Sequence, residues 1–158
     1  MASEVFRPHG RRGNPRANGG SMTNDIARSG EPASSRIRRA VGCFYLFTGG
    51  VHLGIVAADP QYYRSFADPA YFPLIRDAWQ AVFMAQPGWW GLALMGGEVV
   101  LGLLLLAGGP AVRIGWAGVI AFHVLLMLFG FGFWLWSVPV LLFLVPAARA
   151  DWPRLSSR

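Results

Sequence analysis

The chain holds a single cysteine, Cys43, in 158 residues. An intrachain disulfide and a Cys-x-x-Cys relay are therefore excluded, and with them the thiol–disulfide chemistry of some small four-helix membrane oxidoreductases. Ala40-Val41-Gly42-Cys43 faintly resembles a lipoprotein cleavage box, but the apolar segment follows the cysteine, so Cys43 reads as a small packing residue. Lysine is missing altogether: all 14 basic side chains are arginine, against 8 acidic ones. Charge of either sign is scarce at 14% of residues, whereas 54% are hydrophobic. What charge there is lies unevenly. Arg7, Arg11, Arg12, Arg16, Arg28, Arg36, Arg38 and Arg39 precede the first long apolar run, accompanied only by Glu4, Asp25 and Glu31. This bias reads as a topology signal that holds the N-terminus in the cytoplasm, and it draws the arm to anionic lipid head groups. A nucleic-acid partner is not expected, because the arm has no aromatic–basic pattern and no recognisable binding fold.

Residues 1–35 are rich in Gly, Pro, Asn, Ser and Arg without apolar periodicity, which predicts a disordered basic cytoplasmic arm. Ser34 or Ser35 is the candidate cap of the helix that follows. A membrane domain is expected over 36–148, with spans at about 40–58, 88–108, 112–129 and 133–147. Residues 149–158 form a cytoplasmic tail. Val56-Ala57-Ala58 is a passable signal-cleavage site, but His52, several glycines and three later apolar runs favour a retained helix. Asp59-Pro60 ends that helix. Pro73 to Ala85 carries Ile75, Trp79, Val82 and Phe83 on one face and Arg76, Asp77 and Gln80 elsewhere. It reads as a short amphipathic helix in the membrane interface, with a lid over an outward-opening site as the alternative. The fourth run contains Pro139 and is short for a bilayer, so it must be kinked, tilted or extended by its neighbours. The fold class is all-α, a four-transmembrane-helix bundle with a short interfacial helix between helices 1 and 2. With four spans the Arg-rich ends share one side, so both termini are placed in the cytoplasm.

Candidate chemistry sits inside the bundle. Glu98 is the one charged residue between Trp89 and Gly108. A carboxyl group at that depth costs about 2.5–3.5 kcal/mol on insertion scales and marks a functional site by default. His52 and His123 fall at a similar depth, and at a helix rise of about 1.5 Å all three lie within a slab of about 5–6 Å. Gly42, Tyr45, Gly49 and His52 recur at spacings of three and four, while Gly91, Glu98 and Gly102 share a stripe. Small residues permit close helix approach, so these polar groups belong on packed faces. Three readings remain open: polar glue between helices; a pocket for an apolar ligand with a polar head, such as a quinone or lipid, that exchanges protons with it; or metal or haem ligation. No H-x-x-x-H pair supports the last, and neither haem nor metal is expected. Trp134 and Trp136 read as interface anchors, and if a pocket opens outward they form its mouth with Tyr62, Tyr63 and Arg64. The candidate ligand-binding set is His52, Glu98, His123, Arg64 and Trp136. His9 lies in the arm and carries no signal.

The stretch Gly97-Glu98-Val99-Val100-Leu101-Gly102-Leu103-Leu104-Leu105-Leu106-Ala107-Gly108, with Arg113 after a short turn, resembles the DoxX-like family of small bacterial membrane proteins. The start of helix one, Arg39 to Gly50, is similar in its arginine and spaced glycines. Together the resemblance covers about Arg39–Ile55 and Gly88–Leu126, and it carries over Glu98, Gly102, Gly108 and Arg113 by position. It implies a four-helix bundle in the bacterial cytoplasmic membrane, associated with redox enzymes or quinone-linked sulfur oxidation. His52, His123, the stretch from Gly130 to Trp136 and the long aromatic segment before helix two depart from the family pattern. The resulting expectation is a quinone- or lipid-interacting accessory subunit of a membrane redox system rather than a free-standing enzyme. Its partners would be the bilayer and a membrane redox protein. The alternatives are a non-catalytic scaffold that binds a partner through its glycine faces and a proton-coupled small-molecule exporter; association into a homo-oligomer is a further expected partnership.

Overall fold

The computed structural model describes residues 33–152, and every regular element among them is helical. Helix α1 runs Ala33–Ala58 and is followed by a 3-10 segment, Pro60–Ala67. Helix α2, Pro73–Ala78, passes into a π-helical turn, Trp79–Phe83. Then come α3 (Pro87–Ala107), α4 (Ala111–Leu126, extended by a 3-10 turn at Met127–Phe129) and α5 (Phe131–Asp151). Four of these, at 26, 21, 19 and 21 residues, are long and apolar enough to cross a membrane and fit a multi-pass integral membrane protein.

Two expected boundaries move. Ser34 and Ser35 are already helical at the start of the described residues instead of capping α1. The rest of the expected arm, and the expected tail from residue 153, lie outside the described residues. The fourth long helix is not short. It reaches from Phe131 to Asp151 through Pro139 and Pro146, because Ala147, Ala148 and Asp151 are buried against the other helices. That tertiary contact carries the helix past the prolines, whose missing amide bonds are tolerated in apolar surroundings.

Glycines set the closest approach. A Cβ added to Gly102 of α3 would lie 2.7 Å from the carbonyl oxygen of Gly42 on α1, and one on Gly49 would lie 2.9 Å from Val99 Cγ2. Gly91 meets Val56 and Tyr63 just as closely, so the whole small-residue stripe is used to seat α3 on α1. Gly50 and Gly54 of α1 and Gly96 and Gly97 of α3, by contrast, have nothing within 4 Å of an added Cβ. Around the bundle α1 neighbours α3, α3 neighbours α4, α4 neighbours α5, and α5 returns to α1. The turn at Gly130 needs glycine twice over. Its φ is +109°, a region that a side chain disfavours, and any Cβ there would run into the Pro69 carbonyl.

One end of the bundle is solid. Val41, Tyr45, Leu105, Val112, Trp116, Val119, Leu144, Ala147 and Ala148 form a single buried cluster. Beyond it Arg38 Nη1 lies 3.2 Å from Asp151 Oδ2, to which Trp116 Nε1 also donates at 3.1 Å. The outer faces stay apolar, with Phe47 70% exposed and Leu142 73%, a surface suited to acyl chains and not to water.

Candidate functional site

At the other end the core gives way to a cavity of 510 Å³, in the size range of small-molecule sites. Helix periodicity brings its polar groups together. Tyr45 and His52, two turns apart, share the inner face of α1. Glu98 is held inward on α3 because Gly91 and Gly102, on the same stripe, are pulled against α1. His123 projects from α4 and is 3% exposed. His52, Glu98, His123 and Trp136, four of the five expected residues, line this one space.

Arg64 does not. It lies in the 3-10 segment, where residues three apart share a face. Tyr63 and Phe66 turn inward on that repeat, and Arg64 turns outward, its Nη2 donating to Gln61 Oε1 at 2.7 Å. Neither Tyr62 nor Tyr63 forms a mouth. Tyr63 is fully buried and hydrogen-bonded to His52 Nδ1 at 2.7 Å, donor and acceptor being set by the imidazole tautomer. The other nitrogen, Nε2, faces Glu98 Oε1 at 3.6 Å, within ion-pair reach but beyond a good hydrogen bond. Burial, and secondarily the negative charge of ionised Glu98, push the Tyr63 phenol above its ordinary value.

On three residues that line the cavity, a buried polar atom has no hydrogen-bond partner among the described residues: Tyr45 Oη, Glu98 Oε2 and His123 Nδ1. Such atoms are costly unless something satisfies them. The remaining walls are mostly apolar or aromatic, and no arginine is among them. The segment between α1 and α3 supplies the cover. Trp79 Nε1 donates to Tyr63 O at 2.9 Å, Gln80 Nε2 donates to Arg64 O at 3.0 Å, and Trp79 stacks on Phe83 with centroids 3.8 Å apart. Phe66 and Trp79 thereby face the cavity.

No protein-family model, curated protein or solved structure matches the chain.

The chemistry is therefore read from the site alone. Among the described residues no three His, Cys, Asp or Glu side chains are grouped so as to hold a metal ion. Both nitrogens of His52 are already directed, one at Tyr63 and one at Glu98. What the arrangement can do is accept or donate hydrogen bonds to a polar head, beside a carboxyl and an imidazole 3.6 Å apart. Sequence reasoning left Tyr45, Phe66 and Trp79 out of the site. The Tyr45–His52 spacing was the available signal for the first, and the three-residue repeat of Tyr63 and Phe66 for the second.

Proposed function

We propose that this chain is a membrane protein that binds a lipid-soluble molecule with a neutral polar head, of the quinone or lipid class, in the cavity beside Glu98. One observation carries the reading: Tyr45 Oη, Glu98 Oε2 and His123 Nδ1, all buried and without a partner among the described residues, belong to residues that line one mainly apolar cavity. A ligand head that satisfies them recovers the cost of their burial, and the apolar walls accept the rest of the molecule. The head is neutral because no arginine lines the site to compensate a phosphate or carboxylate. The likeness of the Glu98–Gly108 stretch to DoxX-like proteins supports an accessory place beside a membrane redox enzyme. The arginine bias supports cytoplasmic termini in a bacterial inner membrane.

The test is mass spectrometry of whatever co-purifies with the full chain in a mild detergent, followed by loading with decylubiquinone. Wild-type protein and Phe47→Ala, altered on the outer face, should carry or take up a neutral amphiphile. Glu98→Leu and Tyr45→Phe should lose it while still folding. Equal retention in all four proteins, or no binding to the wild type, overturns the proposal.

A further inference from the structure

We propose that the occupant enters sideways from the hydrocarbon of the bilayer, through a slot between α1 and the α4–α5 hairpin, and leaves a hydrocarbon chain lying in that slot. This rests on the binding reading above and says what the ligand must look like beyond its head.

Every other side of the cavity is packed. Toward α3, α1 is in backbone contact through Gly42, Gly49 and Gly102. Between α3 and α4, Leu101 and Leu105 press on Gly118 and Gly115. At one end the fully buried Leu105, Trp116 and Val119 form a floor, with Tyr45 edge-on to Phe122 above it. At the other end Phe66 lies 6.2 Å from Phe133 and Trp79 5.1 Å from Phe129, ring centre to ring centre, so the covering segment is joined to the α4–α5 turn by an aromatic layer. The turn itself is pinned by Gly130 against Pro69.

The remaining side is different. Phe44 and Val51 of α1, Leu125 of α4 and Trp136 of α5 line the cavity and are nonetheless between 45% and 58% exposed. A residue that both lines a cavity and meets the surroundings is a rim. All four are apolar, and all lie on or within the long apolar helices. With these helices spanning a bilayer, the rim would open toward acyl chains. A water-borne polar molecule would have to cross that apolar rim, whereas a molecule already dissolved in the bilayer meets no polar barrier on the way in. Helices α1 and α5 close together at the far end, where Val41 and Tyr45 pack with Leu144, Ala147 and Ala148, so the slot has a floor as well as sides.

Two consequences can be read out. A slot does not measure tail length, so binding of a head-matched ubiquinone series, expressed per membrane concentration, should not fall as the isoprenoid tail lengthens. A closed pocket would show an optimum and then a loss. For the route, Val51→Trp and Leu125→Trp fill the slot from its two sides, with Phe47→Trp on the outer face as the control. In liposomes, either rim variant should slow decylubiquinone uptake by about tenfold or more relative to the wild type. Phe47→Trp should leave uptake unchanged. Uptake unaffected by both rim variants, or a sharp loss for long tails, overturns the sideways route while leaving binding at Glu98 intact. Absence of all decylubiquinone binding overturns both readings together.

Discussion

The two ends of the bundle treat a buried acid in opposite ways. Asp151, 1% exposed, receives hydrogen bonds from Arg38 and from the Trp116 indole and sits beyond a packed apolar cluster. Glu98, 5% exposed, has one oxygen 3.6 Å from His52 and the other without a partner among the described residues, beside a cavity. The first acid is satisfied by the protein and acts as a clamp between α1, α4 and α5. The second is left short, and the protein bears its cost. A group kept under-satisfied in an apolar place is suited to meet something from outside, which is why function is assigned to the Glu98 end and stability to the Asp151 end.

The largest effect should come from the clamp. Asp151→Ala leaves the buried Trp116 N–H without its acceptor and the part-buried Arg38 without its ion pair, a loss of about 2–3 kcal/mol for hydrogen bonds to a charged group. Unfolding titrations in mixed micelles would show it, and the paired change Arg38→Leu with Asp151→Leu should restore only the Arg38 part, the Trp116 N–H still lacking its acceptor. If the single variant is neutral, the two ends do not differ as described. Next is Gly102→Val, which forces a side chain into the Gly42 carbonyl; overpacking of this kind costs about 1–3 kcal/mol and should lower the melting temperature. Glu98→Gln should be mild by contrast, within about 1 kcal/mol, because Glu98 makes no close hydrogen bond in the protein. A loss as large as that of Asp151→Ala would make Glu98 a structural clamp as well.

The smallest effect sharpens the contrast. Tyr63→Phe removes one hydrogen bond to His52, worth about 1 kcal/mol. Because the fold raises the Tyr63 phenol above 10.0, it holds that proton to higher pH than the unfolded chain does. The stability this contributes is complete below pH 10.0 and is lost as pH rises through the elevated value. Alkaline unfolding should therefore be less steep with pH in Tyr63→Phe than in the wild type.

Much of this was legible beforehand. The depth match of His52, Glu98 and His123 and the glycine stripe on Gly91 and Gly102 were both visible as periodicity, and both describe how the helices meet. Arg64 lies outside the cavity lining because its segment winds with three residues per turn, a detail that Tyr62, Tyr63 and Phe66 after one proline do not announce. The length of α5 was underestimated because its last turns are held by burial against other helices, whereas composition shows only Pro146 and a nearby arginine.

The residues alone determined the helical class and the four long apolar elements, because a backbone in hydrocarbon must satisfy its own hydrogen bonds and each run has the length to do so. They also determined which faces turn inward, since that follows from a local repeat. Only the tertiary structure decided which acid finds partners and which does not. Arg38 and Asp151 are 113 residues apart, and Tyr63 reaches His52 from a different element. Such pairings depend on how closely whole helices approach one another, a sum over many distant side chains that no local pattern contains.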